Sequence, residues 1–423
     1  MRLTILHTND LHGHDERIAQ IATLVRRVKA ESPHPVLYLD AGDVEETTNR
    51  LSNMTKGAAM HRLLGTAMCD AATVGNASWL RYGPGVLSEH ARAAPFPLLL
   101  ANFDPVSGPV PSVLLGEVGV FGLTASFRNL FTDTDWGFTA LDELEVARRC
   151  ARDLRARGAQ LVVFLSHLGL ELPPDVEDWD DRRIAVELQG EVDVIIGAHT
   201  HHLLPQGEWV DRVLIAQAGE FGEHLGRIEV DGTSLTASVV AVPEDTEPYP
   251  GTAEEAGRIE AEVQERLAEE LGRIEAPLDA LWIAEMLRRR MDADVGLFAE
   301  GLVLGVLPPG VVTRGALWEA SETAANPGVA TLTGAQLADL LARGNSAELV
   351  TSTPRPLRGR QRGRLAVTGV DPAGIDPGRT YRVAATDWEL DSYGGYALPE
   401  WGLKLHYDFP TIVREAIEED LRT

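Results

Sequence analysis

Five segments of the sequence carry side chains that could bind metal ions, and each segment follows an apolar stretch. The candidate ligands are Asp10, His12, Asp43, Asn76, His167, His199 and His201. Carboxylate and amide oxygens together with imidazole nitrogens suit manganese, zinc, iron or cobalt, whereas a thiolate site would require cysteines. One such segment alone is more often surface or capping chemistry, but five in this order are hard to obtain by chance. The pattern therefore predicts a metal centre.

The residues between these segments indicate how the candidate ligands are positioned. From residue 1 to about 240, short apolar runs alternate with amphipathic segments, which is typical of an α/β domain. The runs are residues 3–6, 36–39, 98–101, 161–165 and 192–196. In α/β folds, ligands bind in the loops that follow the carboxyl ends of the strands. We therefore expect the candidate ligands to meet at one edge of a sheet.

The rest of the chain predicts a linker and a second domain. Residues 243–250 are rich in proline and acidic side chains, which is typical of a linker. Apolar side chains then repeat every three or four residues on an acidic background, which predicts one amphipathic helix. These side chains are Ile259, Val263, Leu267, Leu271 and Ile274. The predicted organisation is a first domain over 1–242, an acidic linker and helix over 243–276, and a second α/β domain over 277–423.

The composition restricts the class of protein. At 423 residues the chain is long enough for two domains, and 38 basic against 64 acidic side chains argue against binding of a nucleic-acid polymer. An acidic enzyme still binds a small phosphorylated substrate if bound cations supply positive charge. The two cysteines form no CxxC pair, no signal peptide is recognisable, and no apolar run approaches the roughly 20 residues of a membrane span. These features predict a cytoplasmic protein without a membrane partner and leave its oligomeric state open.

Several motifs follow one another in an order that is informative. They are Asn9-Asp10-Leu11-His12-Gly13-His14, Gly42-Asp43, Val74-Gly75-Asn76, Ser166-His167 and Gly197-Ala198-His199-Thr200-His201. This ordered set resembles the calcineurin-like metallophosphoesterases, and the opening residues 7–13 are similar to their 5'-nucleotidase and 2',3'-cyclic phosphodiesterase branch. Beyond the linker, residues 293–297 and 332–337 resemble that branch's "ADIAL" strand and "LTGAQL" helix start. The resemblance implies a four-layer αββα metallophosphoesterase domain followed by a smaller α/β domain like the 5'-nucleotidase C-terminal domain.

The resemblance also implies how the candidate ligands divide between two metal ions. The implied ligands of one ion are Asp10, His12 and His201. The implied ligands of the other ion are Asn76, His167 and His199, with Asp43 as the bridge. The expected cofactor is two divalent ions, with manganese favoured and zinc, iron, cobalt or nickel as alternatives. Two such ions about 3.5–4 Å apart activate a water for in-line attack on phosphorus. The expected substrate is a small phosphorylated molecule, a nucleotide or a cyclic nucleotide.

The sequence departs from this family directly after Asn76. Relatives read "GNHEFDYG" here, whereas this chain has Ala77 in place of the histidine and Leu80 in place of the aspartate that pairs with it. In relatives this pair assists the leaving oxygen. A positioned acid or base contributes about 10²–10⁴-fold to the rate, so we expect hydrolysis to persist with a preference for good leaving groups. His14 and His202 are the candidate catalytic replacements, and the alternative is that both are supporting or surface histidines.

The second domain offers two candidate substrate-binding residues, Trp388 and Tyr396. They lie in a stretch that resembles the family's "FxxxGGDGY" segment, whose aromatic side chain stacks on the base. The alternative is that Trp388 is an ordinary core residue. The phosphate-binding arginine of the family's "NSGGIR" turn has no counterpart in residues 299–304. Four histidines without a partner pattern are expected to be exposed, namely His34, His61, His90 and His406.

Two hypotheses of different class follow from these observations. The first is a metal-dependent phosphoesterase that hydrolyses nucleotides or related phosphate monoesters and diesters, 2',3'-cyclic diesters included. The alternative is a degenerate member of the family that binds metal and a phosphorylated ligand without efficient catalysis, which the loss of the histidine–aspartate pair favours. Turnover by metal-loaded protein separates the two hypotheses.

Overall fold

Two units make up the part of the chain that the structure describes. The structure is a computed structural model, and it describes residues 1–127, 136–172, 178–321, 325–345, 363–390 and 396–423. The units are Met1–Val263 and Gln264–Thr423. Within the described ranges, no helix combines the length and the apolar composition needed to cross a membrane.

The first unit is built from fourteen strands and eight helices among its described residues. The strands are β1 (Arg2–Thr8), β2 (Val36–Asp40), β3 (Ala71–Thr73), β4 (Leu98–Leu99), β5 (Phe103–Asp104), β6 (Ser112–Leu115), β7 (Val118–Thr124), β8 (Thr139–Ala140), β9 (Leu161–His167), β10 (Val194–Gly197), β11 (Glu208–Val210), β12 (Val213–Ala216), β13 (His224–Asp231) and β14 (Ser234–Ala241). The helices are α1 (Asp15–Glu31), α2 (Arg50–Met54), α3 (Ala58–Thr66), α4 (Asn76–Tyr82), α5 (Leu87–Ala93), α6 (Glu143–Ala156), α7 (Asp181–Glu187) and α8 (Pro250–Leu267).

Most of these strands form two six-stranded sheets. The strand order is β14-β13-β1-β2-β3-β4 in the first sheet and β11-β12-β10-β9-β7-β6 in the second. Strands β1 to β4 run parallel to one another, and so do β7, β9, β10 and β12. Parallel strands of one sheet end at the same edge, so the loops that follow them are neighbours in space.

The two sheets of the first unit pack face to face. Leu3 and Ile5 of the first sheet share a buried cluster with Val163 of β9. The alternate β9 residues Val162 and Phe164 point to the opposite face, where they join a second buried cluster with side chains of α6 and α7. Helix α1 contacts β2 of the first sheet. The layers therefore run helix, sheet, sheet, helix, which confirms the predicted αββα fold.

The second unit is a smaller α/β structure, as predicted. Its strands are β15 (Glu270–Ile274), β16 (Val295–Ala299), β17 (Gly310–Thr313), β18 (Pro327–Thr333), β19 (Leu365–Thr368), β20 (Thr380–Thr386) and β21 (His406–Tyr407). Its helices are α9 (Ala280–Arg290), α10 (Arg314–Ala320), α11 (Gly334–Gly344), α12 (Asp387–Leu390) and α13 (Val413–Leu421). A five-stranded sheet of order β19-β16-β20-β18-β21 carries its buried core.

The helix predicted to include Leu271 and Ile274 ends earlier than the pattern indicated. Helix α8 ends at Leu267, and the two residues lie instead in β15, which pairs with β17. Both side chains are buried at a spacing of three because the pairing shifts register between Glu270 and Gly272. The irregular strand β15 therefore buries two residues at the three-residue spacing that is typical of a helix.

Candidate metal centre

The candidate ligands follow the strand ends of the first unit. Asp10 and His12 come after β1, and Asp43 comes after β2. Asn76 is the first residue of α4, directly after β3. The remaining ligands belong to the second sheet, where His167 ends β9 and His199 and His201 follow β10. The parallel strands bring these loops together, as the sequence predicted.

Five of the seven candidate ligands have a backbone conformation that non-glycine residues rarely adopt. Their φ angles are 51° for Asp10, 43° for His12, 54° for Asp43, 70° for His199 and 56° for His201. Each such residue costs on the order of 1–3 kcal/mol and persists only where its surroundings impose it. Two backbone hydrogen bonds of 2.9 Å, Asp10 N–H to the Gly42 carbonyl and His12 N–H to the Asp43 carbonyl, hold the first loop. Strain therefore concentrates on the predicted ligands.

Asp10, His12 and His201 bring their ligand atoms together in the first of two groups. The Nε2 atoms of His12 and His201 lie 3.2 Å apart. Asp10 Oδ1 lies 3.5 Å from His201 Nε2 and 3.9 Å from His12 Nε2. Electron-rich atoms at these separations surround a point that a divalent ion can occupy.

A second group forms around His167, whose side chain is fully buried. Asp43 Oδ2 and Asn76 Oδ1 each lie 3.2 Å from His167 Nε2. Asp43 Oδ2 also lies 4.0 Å from His12 Nε2, so this carboxylate stands between the two groups. Asp10 belongs to both groups as well, since its carboxylate lies within ligand range of Asp43 and His167. His199 closes the arrangement by donating its backbone N–H to Asp10 at 3.0 Å.

Hydrogen bonds fix which atom of each side chain faces the centre. His167 Nδ1–H donates to the Ala41 carbonyl at 2.8 Å, which leaves Nε2 free to bind a metal ion. His201 Nδ1 is held in the same way by the Glu220 carboxylate. Asn9 Nδ2 donates to Asp10 Oδ2 at 2.7 Å. Supporting partners of this kind are typical of metal-binding histidines and carboxylates.

A glycine is required beside the bridging position. A Cβ atom on Gly75 would lie 2.0 Å from Asp43 Oδ1 and 2.3 Å from the Asp43 backbone nitrogen. Any side chain there would displace either the carboxylate or the loop that carries it. The N–H of the next residue but one, Ala77, donates to the same Oδ1 at 2.8 Å. The start of α4 therefore holds Asp43 by contact and by hydrogen bond.

Burial and mutual charge shift the pKa values of these groups strongly. Burial raises the pKa of Asp10, but the interaction with His201 and the nearby imidazoles lower it to about 2. Burial lowers the pKa of His167, yet the Asp43 carboxylate raises it to about 9. The pKa of His201 is raised to about 9 by Asp10 and Glu220 against the effect of burial. Burial lowers the pKa of His199 to about 4. The donor set fits divalent ions, which must displace protons from two histidines when they bind.

The two candidate catalytic histidines lie at the margin of this site. His14 is exposed, and its ring centroid lies 4.8 Å from that of Phe221. His202 is half-buried, and its Nδ1 lies 2.9 Å from Thr200 Oγ1. Their catalytic roles stay a prediction. At the positions of the missing pair, Ala77 and Leu80 are half-buried on α4.

The two candidate substrate-binding residues, Trp388 and Tyr396, lie in the interior of the second unit. Trp388 is 8% exposed and Tyr396 is fully buried, and both belong to the hydrophobic core of the second unit. The Tyr396 hydroxyl donates to the Gly363 carbonyl at 2.7 Å. Core packing covers both rings in this structure, and a substrate-binding role for either ring stays a prediction. The alternative interpretation of Trp388 as a core residue agrees with the structure.

Two of the four histidines expected to be exposed are instead buried. His34 and His406 are exposed, as predicted. His61 and His90 are 2% and 0% exposed and face the carboxylate of Glu45. The buried carboxylate of Glu45 is a polar partner that makes burial of both imidazoles favourable. Nothing in the sequence around His61 or His90 indicates this partner.

Sequence reasoning also missed supporting residues around the centre. They are Asn9, Glu46, Glu220 and Phe221. Glu46 Oε2 lies 3.7 Å from His12 Nδ1, and the Phe221 ring lies 5.9 Å from the ring of His12. Glu220 follows the apolar strand β12, so the strand-end rule that indicated the candidate ligands also indicates this supporting residue.

The fold and this site define a class of protein. An αββα unit with aspartate, asparagine and histidine side chains converging at one edge of its parallel strands is a metal-dependent hydrolase domain. Residues 3–203 match the family described as calcineurin-like phosphoesterase, and residues 260–400 match the 5'-nucleotidase C-terminal domain. The chain belongs to the calcineurin-like phosphoesterases that carry a 5'-nucleotidase C-terminal domain. Members of this family are phosphoric ester hydrolases with a dinuclear metal site.

Relatives in other organisms agree with this membership. The chain is 26% identical to an uncharacterized metallophosphoesterase, YunD, of Bacillus subtilis (strain 168), over 99% of this chain and 96% of the relative. It is 26% identical to the 5'-nucleotidase of Bos taurus over 54% of this chain, and the match spans 46% of that enzyme. It is 28% identical to the trifunctional nucleotide phosphoesterase YfkN of Bacillus subtilis over 62% of this chain, but over 21% of that protein.

Solved structures share the fold along the whole chain. A 5'-nucleotidase precursor from Thermus thermophilus matches with a TM-score of 0.60 at 22% identity, covering 100% of this chain and 96% of that one. The NAD nucleotidase of Haemophilus influenzae matches with a TM-score of 0.65 at 15% identity, with the same coverage. At these identities the likeness establishes the architecture and carries no information on substrate.

Proposed function

We propose that this chain hydrolyses phosphate esters of nucleotides or closely related small molecules at the centre described above. The observation that carries the proposal is the convergence of two ligand groups, Asp10 with His12 and His201, and Asp10 with Asp43 and His167. Asn76 adds its amide oxygen 3.2 Å from His167 Nε2, and the backbone N–H of His199 donates to Asp10. A site of that composition suits two divalent ions.

Each candidate ligand has a proposed role. One ion would be held by Asp10, His12 and His201. The other ion would be held by Asn76, His167 and His199, with Asp43 between them. When bound, the two ions supply positive charge that lowers the pKa of a water and offsets charge on the phosphoryl oxygens. We favour manganese, with zinc, iron, cobalt or nickel as alternatives.

The protein's own side chains keep this arrangement in place. The Ala41 carbonyl and the Glu220 carboxylate orient His167 and His201 so that each presents Nε2 to the centre. Asn9 orients the Asp10 carboxylate. Because these contacts exist before substrate arrives, little reorganisation accompanies the reaction.

The substrate class is proposed from two sources. Two relatives, a 5'-nucleotidase and a trifunctional nucleotide phosphoesterase, favour a nucleotide as the substrate. Ala77 and Leu80 offer no proton to a leaving oxygen, which favours esters whose leaving group needs little help. We therefore place 2',3'-cyclic nucleotides and activated diesters before simple nucleotide monophosphates. His14 or His202 is the proposed proton donor, since each follows a ligand by one or two residues.

A substrate panel under one metal tests the proposal. Protein stripped with a chelator and then loaded with Mn²⁺ is assayed on bis-nitrophenyl phosphate, nitrophenyl phosphate, 2',3'-cyclic AMP and AMP. We expect turnover of the diesters above that of the monoesters, and none before Mn²⁺ is added. Absence of turnover on all four substrates, with Mn²⁺ bound, would contradict the proposal.

A second candidate function rests on the missing histidine–aspartate pair. The chain would then bind metal and a phosphorylated ligand without efficient catalysis. Tight binding of 2',3'-cyclic AMP by Mn²⁺-loaded protein, measured by calorimetry and without product formation, would support this alternative. The complete ligand set argues against it, because a lineage relieved of catalysis is expected to lose ligands as well.

Two further expectations stay predictions. These are a cytoplasmic location and manganese as the metal bound in the cell. Fractionation of the source cells and metal analysis of the protein purified from them would test both.

A further inference from the structure

A second cluster of buried metal-binding side chains lies outside the proposed catalytic centre. Glu45 follows Asp43 in the loop between β2 and α2, while His61 belongs to α3 and His90 to α5. All three are at most 2% exposed, and their ligand atoms lie within 4.8 Å of one another. A carboxylate is costly to bury unless it is paired with hydrogen-bond donors or binds a metal ion. The three side chains therefore need an explanation of their own.

The contacts of Glu45 are unevenly distributed over its two oxygens. Ser78 Oγ donates to Oε1 at 2.6 Å, His61 Nε2 lies 2.7 Å from Oε1, and His90 Nδ1 lies 3.2 Å from the same atom. Oε2 is buried and has no hydrogen-bond partner among the described residues. Three polar atoms thus surround Oε1, while Oε2, which has equal capacity to accept hydrogen bonds, has no partner among the described residues.

The orientation of His90 makes this crowding informative. Its Nε2 donates to the Lys56 carbonyl at 2.5 Å. In a neutral imidazole the other nitrogen, Nδ1, then carries a lone pair, and that lone pair faces Glu45 Oε1. Two electron-rich atoms in this position repel each other unless a proton or a metal ion lies between them.

The same arrangement occurs at the catalytic centre. There His167 donates Nδ1–H to the Ala41 carbonyl, and its free Nε2 lies 3.2 Å from Asp43 Oδ2. His90 repeats both features, with its backbone-bound Nε2 and with Nδ1 at 3.2 Å from Glu45 Oε1. A ring nitrogen fixed by a backbone carbonyl is typical of metal-binding histidines.

We propose that Glu45, His61 and His90 bind a third divalent transition-metal ion, with Ser78 Oγ as the fourth ligand. Two imidazoles, a carboxylate and a hydroxyl suit zinc in a closed tetrahedral site. Ligand atoms around a tetrahedral zinc ion lie about 3.3 Å apart. His90 Nδ1 already lies at about this separation from Glu45 Oε1, whereas Ser78 Oγ and His61 Nε2 would each have to move away from Oε1 by roughly 0.6–0.7 Å. The backbone of Gly57 approaches closely, and a Cβ there would lie 2.6 Å from Glu45 Cγ.

The proposed ion has a structural role because of the elements that it joins. It ties the segment after Asp43 to α3, α4 and α5, and Ser78 lies two residues after Asn76 on α4. Removing the ion should loosen both of those candidate ligands. The inference does not depend on the reaction at the catalytic centre, since it concerns metal content alone.

Metal analysis of matched variants tests the proposal. Each protein is stripped, incubated with Zn²⁺, desalted and analysed by mass spectrometry of the metal, with circular dichroism to verify folding. Wild type should retain one more Zn²⁺ per chain than Glu45→Gln and than the double variant His61→Gln/His90→Gln. The control His34→Gln, at an exposed histidine, should match wild type. Equal zinc content in wild type and in both folded cluster variants would overturn the proposal.

A second measurement keeps the test decisive if the cluster variants do not fold. Asp10→Asn/Asp43→Asn removes the carboxylate charges of both catalytic ligand groups and leaves the cluster intact, so this double variant should still hold one Zn²⁺ per chain after desalting. Anomalous diffraction from Zn²⁺-loaded wild-type crystals should show a peak between Glu45, His61 and His90. Peaks at the catalytic centre with none at the cluster would establish a hydrogen-bonded network without metal and refute the inference.

Discussion

Removing the Glu220 carboxylate should weaken metal binding although Glu220 is not a proposed ligand. Glu220 accepts a hydrogen bond from His201 Nδ1, which directs Nε2 toward Asp10 Oδ1 at 3.5 Å. Loss of such a supporting partner lowers metal affinity about 10–100-fold, which corresponds to about 1.4–2.8 kcal/mol. We expect Glu220→Ala to raise the Kd for Mn²⁺ by that factor.

The pH dependence of this effect follows from the same contact. Glu220 contributes to the raised pKa of His201, which is about 9. Without the carboxylate, His201 loses its proton more readily, so a metal ion competes with fewer protons at pH 7. The loss of affinity should therefore be smaller at pH 7 than at pH 9, where little proton competition remains.

Calorimetric titration with Mn²⁺ at both pH values measures this prediction. Glu220→Gln keeps an acceptor without the charge and should lie between Glu220→Ala and wild type. Glu223→Ala removes an exposed carboxylate three residues away and serves as the control. If Glu220→Ala binds Mn²⁺ as tightly as Glu223→Ala does at pH 9, the orienting role assigned to Glu220 is wrong.

Three further predictions address catalysis, pH and the second unit. The double variant Ala77→His/Leu80→Asp should raise kcat on nitrophenyl phosphate, by up to about 10²–10⁴-fold if the histidine–aspartate pair is fully restored. An unchanged kcat would show that the missing pair does not limit monoester hydrolysis. Metal-free protein should lose stability as the pH rises from 6.5 through 9. The pKa values of His167 and His201 are raised to about 9 in the folded state, so their protonated forms stabilise the fold below that range and this contribution is lost as they deprotonate. A Tm that rises over this range in the presence of a chelator would contradict these raised pKa values. Tyr396→Phe should lower the free energy of unfolding by about 1 kcal/mol, because the hydrogen bond to the Gly363 carbonyl is lost. KM should stay unchanged, and a several-fold change in KM would show that Tyr396 contacts the substrate.

The ligand set was predictable because each member lies at the end of a strand. Asp10, Asp43 and His167 follow or end apolar runs, and parallel strands carry their ends to one edge. The sequence contains no sign of the left-handed backbone at Asp10 and Asp43, since that conformation is imposed by hydrogen bonds from neighbouring loops.

Contacts between distant segments were beyond sequence reasoning. His61 and His90 lie 16 and 45 positions from Glu45 and show no spacing that links them to it. Their burial depends on how α3 and α5 pack against the loop after β2. The burial of Trp388 was not predictable either, because a stretch that resembles a binding motif of relatives lies here in a packed core.

The spacing of apolar residues also led to a wrong prediction at the irregular strand β15. Leu271 and Ile274 fit the helical period that begins at Ile259. Their residue types do not distinguish a continued helix from a strand. The register shift in β15 is a property of its pairing with β17, which the sequence of one strand does not contain.

A titration with Mn²⁺ tests whether this phosphoesterase centre requires divalent metal. Chelator-stripped protein is assayed on bis-nitrophenyl phosphate while Mn²⁺ is added, with His199→Ala as the matched variant. We expect no hydrolysis without Mn²⁺, saturable activity as Mn²⁺ is added, and at least about a 100-fold loss in the variant. Hydrolysis that is independent of metal, or none at saturating Mn²⁺, would contradict this expectation.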